Sequence, residues 1–154
     1  MLETLTEDLV KDDKELQQYR SLVEDWQSRA AADSVGYRLV RDFRSAVRER
    51  VFAMLMQPVR EKFGEETGLR MSNQFEAPLW TMVTEKPEHL LSAEYANWQE
   101  LLLAAIDENL DYYRENYDGP LNLRTWGERN TAAIRHPLGG AVPMLARWLN
   151  MPRD

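Results

Sequence analysis

The chain has 154 residues, 44% apolar and 29% charged, enough for one globular domain with a modest core. A formal charge of -7 argues against a general nucleic-acid binder, which needs clustered Lys and Arg on a positive surface. Cysteine is absent, which excludes disulfides, thiolate metal sites and a cysteine nucleophile, and no apolar run approaches the ~20 residues that cross a bilayer.

The opening residues, MLETLTEDLVKDD, are acidic and lack the basic start and apolar middle of a secretion signal. Leu2, Leu5, Leu9, Leu16, Tyr19, Val23 and Trp26 alternate spacings of three and four with a polar gap at Asp12. That pattern predicts an amphipathic helix, best supported from Asp8 to Ser28, with Thr4 or Thr6 as its cap. Arg29 to Ala32 is a short joint. The central helix then runs from Asp33 to Gln57, with Val35, Leu39, Phe43, Val47 and Val51 forming one apolar stripe filled in by Val40, Ala46 and Met54. Asp33 or Ser34 can cap its start, and Pro58 is expected to end or bend it. With so short a joint, the first two helices should pack side by side and antiparallel. Arg38, Arg41, Arg44 and Arg48 recur along the other side of the central helix. They read either as a solvated face or as a basic strip that docks onto another part of the same protein.

After Pro58, residues Val59 to Glu66 can add two helical turns closed by Gly68, and Leu69 to Ala77 reads as a surface loop. A short helix is predicted from Pro78 to Glu85, burying Leu79, Met82 and Val83. A third long helix covers about Ser92 to Tyr117, with Tyr95, Trp98, Leu102, Ile106 and Tyr113 on one side, and Asp118-Gly119-Pro120 stops it. Arg124 to Gly127 and Thr131 to Arg135 look extended, Gly139-Gly140 is a turn, and Pro143 to Leu149 forms a short helix bearing Met144, Leu145 and Trp148. A lone strand cannot satisfy its own backbone, so it pairs either with a weak strand nearby or with strands outside this chain. The expected architecture is mostly α, a bundle-like helical part over 1–118 followed by an extended or β segment and a short terminal helix over 119–154.

Catalytic constellations do not emerge from the residues. His89 and His136 have no metal-ligand spacing, and His136, preceding Pro137, reads as a structural hydrogen-bonding residue. Glu65-Glu66, Asp12-Asp13, Glu94 and Asp107 fall where solvated faces or loops are expected. No Gly-rich phosphate loop and no G-x-S-x-G elbow is present. Asn97-Trp98 and the Met54/Met56 pair read as packing. No catalytic, cofactor-binding or metal-ligating residue is assigned within the chain.

Two stretches are less generic. Trp26-Gln27-Ser28-Arg29-Ala30-Ala31-Ala32-Asp33-Ser34 resembles a helix junction of the form W-D-G-R-x-x-x-D-S in the late β-chain of penicillin acylases. Trp126-Gly127, then Ile134-Arg135-His136-Pro137-Leu138, ending in Leu149-Asn150-Met151-Pro152, resembles the W-G … R-H-P-L segment after the helical part of the same β-chain. Their order and separation fit over nearly the whole chain. Gln27-Ser28 departs from the usual Asp-Gly, which should alter the local turn more than the fold.

The resemblance implies an N-terminal-nucleophile hydrolase whose precursor is cut to expose a β-chain serine. That serine attacks N-acyl amides such as penicillins or acyl-homoserine lactones, its α-amine serving as base. Both the serine and the oxyanion asparagine, like the family's calcium ligands, lie upstream of the matched region, so no catalytic residue is carried over. Ser34 is internal and reads as a helix cap. The chain is thus expected to be an inactive helical piece of a larger acylase, its partners the remaining α- and β-chain residues, its location periplasmic or secreted. It should also self-associate through apolar surface that lacks its cover. A competing reading is a self-contained helical interaction module that binds a protein through the Arg38 to Arg48 strip or the Trp-rich end.

Overall fold

A computed structural model describes residues 1–64, 73–131 and 144. Among them the regular structure is helical and no strand occurs. The extended reading of Thr131 to Arg135 lies, beyond Thr131, outside the described residues. So do Glu65-Glu66, the Gly68 stop and, apart from Met144, the terminal helix.

The predicted first helix is two. Helix α1 spans Glu7–Val10 and α2 spans Lys14–Glu24. The polar gap at Asp12 is a boundary because Asp13 turns its carboxylate onto the amides of Glu15 and Leu16, starting a new helix. Helix α2 stops at Glu24, short of the expected Ser28. Ser28 takes φ 56°, the left-handed conformation that disfavours a side chain. The Gln27-Ser28 departure therefore sits at the residue where a glycine would relieve the backbone. Ser28→Gly is expected to raise unfolding stability by roughly 1 kcal/mol in a urea titration, and a loss of stability would contradict this.

Helix α3 spans Val35–Phe63 and is capped by Ser34, whose Oγ accepts from the Tyr37 amide at 3.1 Å. The helix does not end at Pro58, one of the two outcomes expected there. The helix runs through it to Gly64, whose φ of 91° ends it.

A 3-10 turn at Asn73–Phe75 leads into α4, Glu76–Glu85, which buries Leu79 and Met82 as expected. Helix α5 spans Trp98–Asn116, starting six residues later than the predicted Ser92. Asn97 accepts from the Glu100 amide at 3.0 Å while the Glu100 carboxylate accepts from the Ala96 amide, a reciprocal start signal that outweighs the apolar spacing upstream. After Gly119-Pro120 a 3-10 turn at Leu121–Leu123 precedes α6, Trp126–Asn130. The extended reading of Arg124 to Gly127 is thereby overturned at Trp126-Gly127: Thr125 caps a helical turn by accepting from the Glu128 amide at 3.2 Å.

Helix α3 is the axis of the fold. Tyr19 lies against Leu39 and Leu22 against Gly36, so α2 runs antiparallel to α3 as expected. Asp42 meets Tyr113 and Arg50 meets Glu108, so α5 is antiparallel on another side. Leu39, Val47 and Val51 of α3, Leu101, Ala105 and Ile106 of α5, and Tyr19 and Val23 of α2 share one buried core.

Tyr19 and Tyr113 are both buried, and burial pushes their hydroxyls well above the ordinary tyrosine value. Below pH ~10 both are neutral in folded and unfolded chains, so their contribution is complete. Above that pH the unfolded chain releases protons that the folded chain retains, and stability falls by up to about 2.7 kcal/mol per pH unit for the pair. Urea titrations from pH 9 upward should show this decline, and Tyr19→Phe should roughly halve its slope. A flat profile to pH 11 would contradict it.

Candidate functional site

The arginine row on α3 is not a uniform solvated face. Arg44 forks onto Glu76 of α4, with Nη2 at 2.6 Å from Oε1 and Nε at 3.0 Å from Oε2, and Arg48 reaches the same carboxylate at 3.6 Å. Arg38 is fully buried. Its guanidinium ion-pairs with Glu128 of α6, donates to the Thr125 carbonyl at 3.3 Å and lies 3.7 Å from Asp42 one turn along α3. It also sits over the rings of Tyr113, at 5.2 Å, and Tyr117, at 4.8 Å. The docking-strip reading therefore holds for Arg38, Arg44 and Arg48.

Around Arg38 a charge cluster assembles from three elements. Asp42 accepts from the Tyr113 hydroxyl and pairs with Arg129 of α6. Arg124 pairs with Glu128 at 3.1 Å, donates to the Asp118 carbonyl at 3.0 Å and faces the Tyr117 ring at 4.8 Å. Burial, with Arg38 and Arg41 nearby, holds Arg129 below the usual arginine value.

Beside this cluster the two motif stretches, far apart in sequence, meet. The amides of Trp126 and Gly127 donate to the carbonyls of Ser34, at 3.0 Å, and Ala32, at 2.6 Å. Tyr37 bridges the motif tryptophans, tilted against Trp26 at 5.6 Å and edge-on to Trp126 at 4.9 Å. The Trp26 indole N–H closes its own loop by donating to the Arg29 carbonyl at 2.9 Å. Gly127 is needed for the approach, since a Cβ there would stand 2.9 Å from the Ala32 oxygen. A shallow hollow of about 330 Å³ beside the junction is lined by Trp26 with Asp25, Arg29 and Asp33.

The candidate chemical residues remain dispersed. His89, Glu94 and Asp107 are exposed, and Asp13 serves as a helix cap, while His136 lies outside the described residues. Asn97 is likewise a cap, and Trp98 is buried with its indole donating to the Pro87 carbonyl at 3.1 Å. Partial desolvation and the neighbouring Asp111 raise the Asp107 carboxyl above the usual range. Among the described residues no group of three or more His, Asp and Glu could hold a metal ion. No helix among them is long and apolar enough to cross a membrane. Asp42 was not singled out from the sequence, although its place four residues after Arg38, beside the apolar stripe, is the signature of an intrahelical pair.

The fold and the junction define a helical segment whose distinctive residues hold its parts in register. The penicillin amidase family profile matches residues 1–153, and the chain belongs to that family. No curated protein and no solved structure gives a significant match.

Proposed function

We propose that the chain is a structural, helical part of a penicillin-acylase-like amidohydrolase that cleaves the amide bond of N-acyl compounds, β-lactam antibiotics or acyl-homoserine lactones among them. The nucleophile is an amino-terminal serine outside these residues, which attacks the acyl carbon with its own α-amine as base and passes through an ester intermediate. The oxyanion donors and any calcium ligands also lie outside this segment, and the rest of the acylase is its partner, in the periplasm or outside the cell. Family membership over nearly the whole chain supports the reading.

The observation that carries it is the use made of the motif residues. Trp26, Ser34, Trp126 and Gly127 spend their polar groups or backbone amides on one another and on neighbouring turns. Ser34 in particular is engaged as the cap of α3 and does not serve as a nucleophile. A scaffold of this kind affects how much enzyme forms more than how it binds substrate. In the acylase precursor that carries this segment, Gly36→Ala is expected to lower the yield of processed, active enzyme and leave the KM of the surviving enzyme unchanged. A changed KM at normal yield would place these residues in substrate binding and overturn the reading.

A further inference from the structure

We propose that α6 with its leading residue Thr125 is a releasable clasp, held to α3 by polar contacts and able to detach as a unit while the helical body stays folded. The first support is the kind of contact it makes. No residue of α6 is buried, in contrast to α3 and α5, whose apolar residues form the core. Among the described residues its attachments are the two backbone hydrogen bonds to Ser34 and Ala32, the Arg38 hydrogen bond to the Thr125 carbonyl, the pairs Arg38–Glu128 and Arg129–Asp42, and the edge contact of Trp126 on Tyr37. An element held this way lacks the apolar burial that ties local opening to global unfolding.

The second support is that the most buried ion pair survives the opening. With α6 detached, Arg38 and Asp42 remain as an i,i+4 pair on α3, at 3.7 Å. Asp42 keeps the Tyr113 hydroxyl, and Arg38 keeps the faces of Tyr113 and Tyr117. Glu128 leaves into water, while Arg124, its i,i+4 partner at 3.1 Å, stays in the body on the Asp118 carbonyl and the Tyr117 ring. Release therefore leaves Arg38 and Asp42 paired, and its electrostatic cost falls on Arg124, which keeps a carbonyl and a ring face but no carboxylate. Arg124 is itself buried and tied to the Asp118 carbonyl, so the turn after it is the pivot.

Amide hydrogen exchange on the full 154-residue chain tests this. In low urea, the Trp126 and Gly127 amides are expected to exchange by an opening that is nearly independent of denaturant. Amides of Leu102 and Ile106 in α5 should follow the steep global dependence. Glu128→Gln, or Arg129→Gln should the first variant fold poorly, should cost the α6 amides at least tenfold in protection and leave those of α5 unchanged. If the α6 amides share the denaturant dependence of α5, if both sets lose protection together, or if neither responds, the clasp does not open on its own and the proposal fails.

Discussion

Replacing Arg38 with methionine is expected to destabilise the chain by about 3–5 kcal/mol, the range for removing one partner of a buried ion pair. Methionine fills a similar volume, so the loss would come from charge and not from a cavity. Asp42, 7% exposed, would keep one hydroxyl donor and the partly exposed Arg129, and lose the cation one turn away. The Thr125 carbonyl would lose its donor, and the rings of Tyr113 and Tyr117 the cation above them. Lysine should not rescue the loss. Its single ammonium cannot reach Glu128 and the Thr125 carbonyl while lying flat between two rings. Equilibrium urea unfolding of the two variants measures the effect, and a cost below about 1 kcal/mol for Arg38→Met would show that the cluster is neutralised without it.

Gly36→Ala is expected to cost about 2–3 kcal/mol, in the upper range for overpacking a tight contact. The result runs against local preference, because alanine is the better helix former by about 1 kcal/mol. A Cβ at position 36 would stand 2.7 Å from the Trp26 Cβ and closer still to the Leu22 carbonyl oxygen. Neither atom can swing aside as a side-chain tip would, so α2 must move off α3 and take the Tyr19–Leu39 hydrogen bond with it. Thermal unfolding would report the loss. A Tm equal to or above that of the parent chain would mean the α2–α3 contact is looser than this geometry requires.

The long apolar periods were legible in the residues alone. The stripe from Val35 to Val51 identifies α3, and the cores of α2 and α5 follow from the same spacing. Boundaries were less legible because they depend on single polar side chains that compete with periodicity. Asp13 and Asn97 each start a helix inside a stretch whose apolar spacing reads as continuous. Pro58 misleads in the opposite sense, since a helix already packed on two neighbours can tolerate one lost donor. The extended reading of Trp126-Gly127 failed because a five-residue helix is too short to show a period, and only its Thr125 cap marks it.

The junction was legible only through the family resemblance. That resemblance singled out Trp26 to Ser34 and Trp126-Gly127 without saying that they touch. Arg38 shows the limit most clearly: four arginines at helical spacing look alike in sequence, and which one turns inward is decided by Glu128, ninety positions away. Nothing in the local pattern encodes that partner.

On the proposed function this chain is scaffold, and the chemistry of its acylase resides in other residues. The most direct measurement is hydrolysis of a chromogenic N-acyl substrate by this chain and by the processed acylase that contains it, side by side at equal concentration. The expected result is turnover by the processed enzyme and none above background by this chain. Turnover by this chain alone would contradict the claim and require a nucleophile among its own residues.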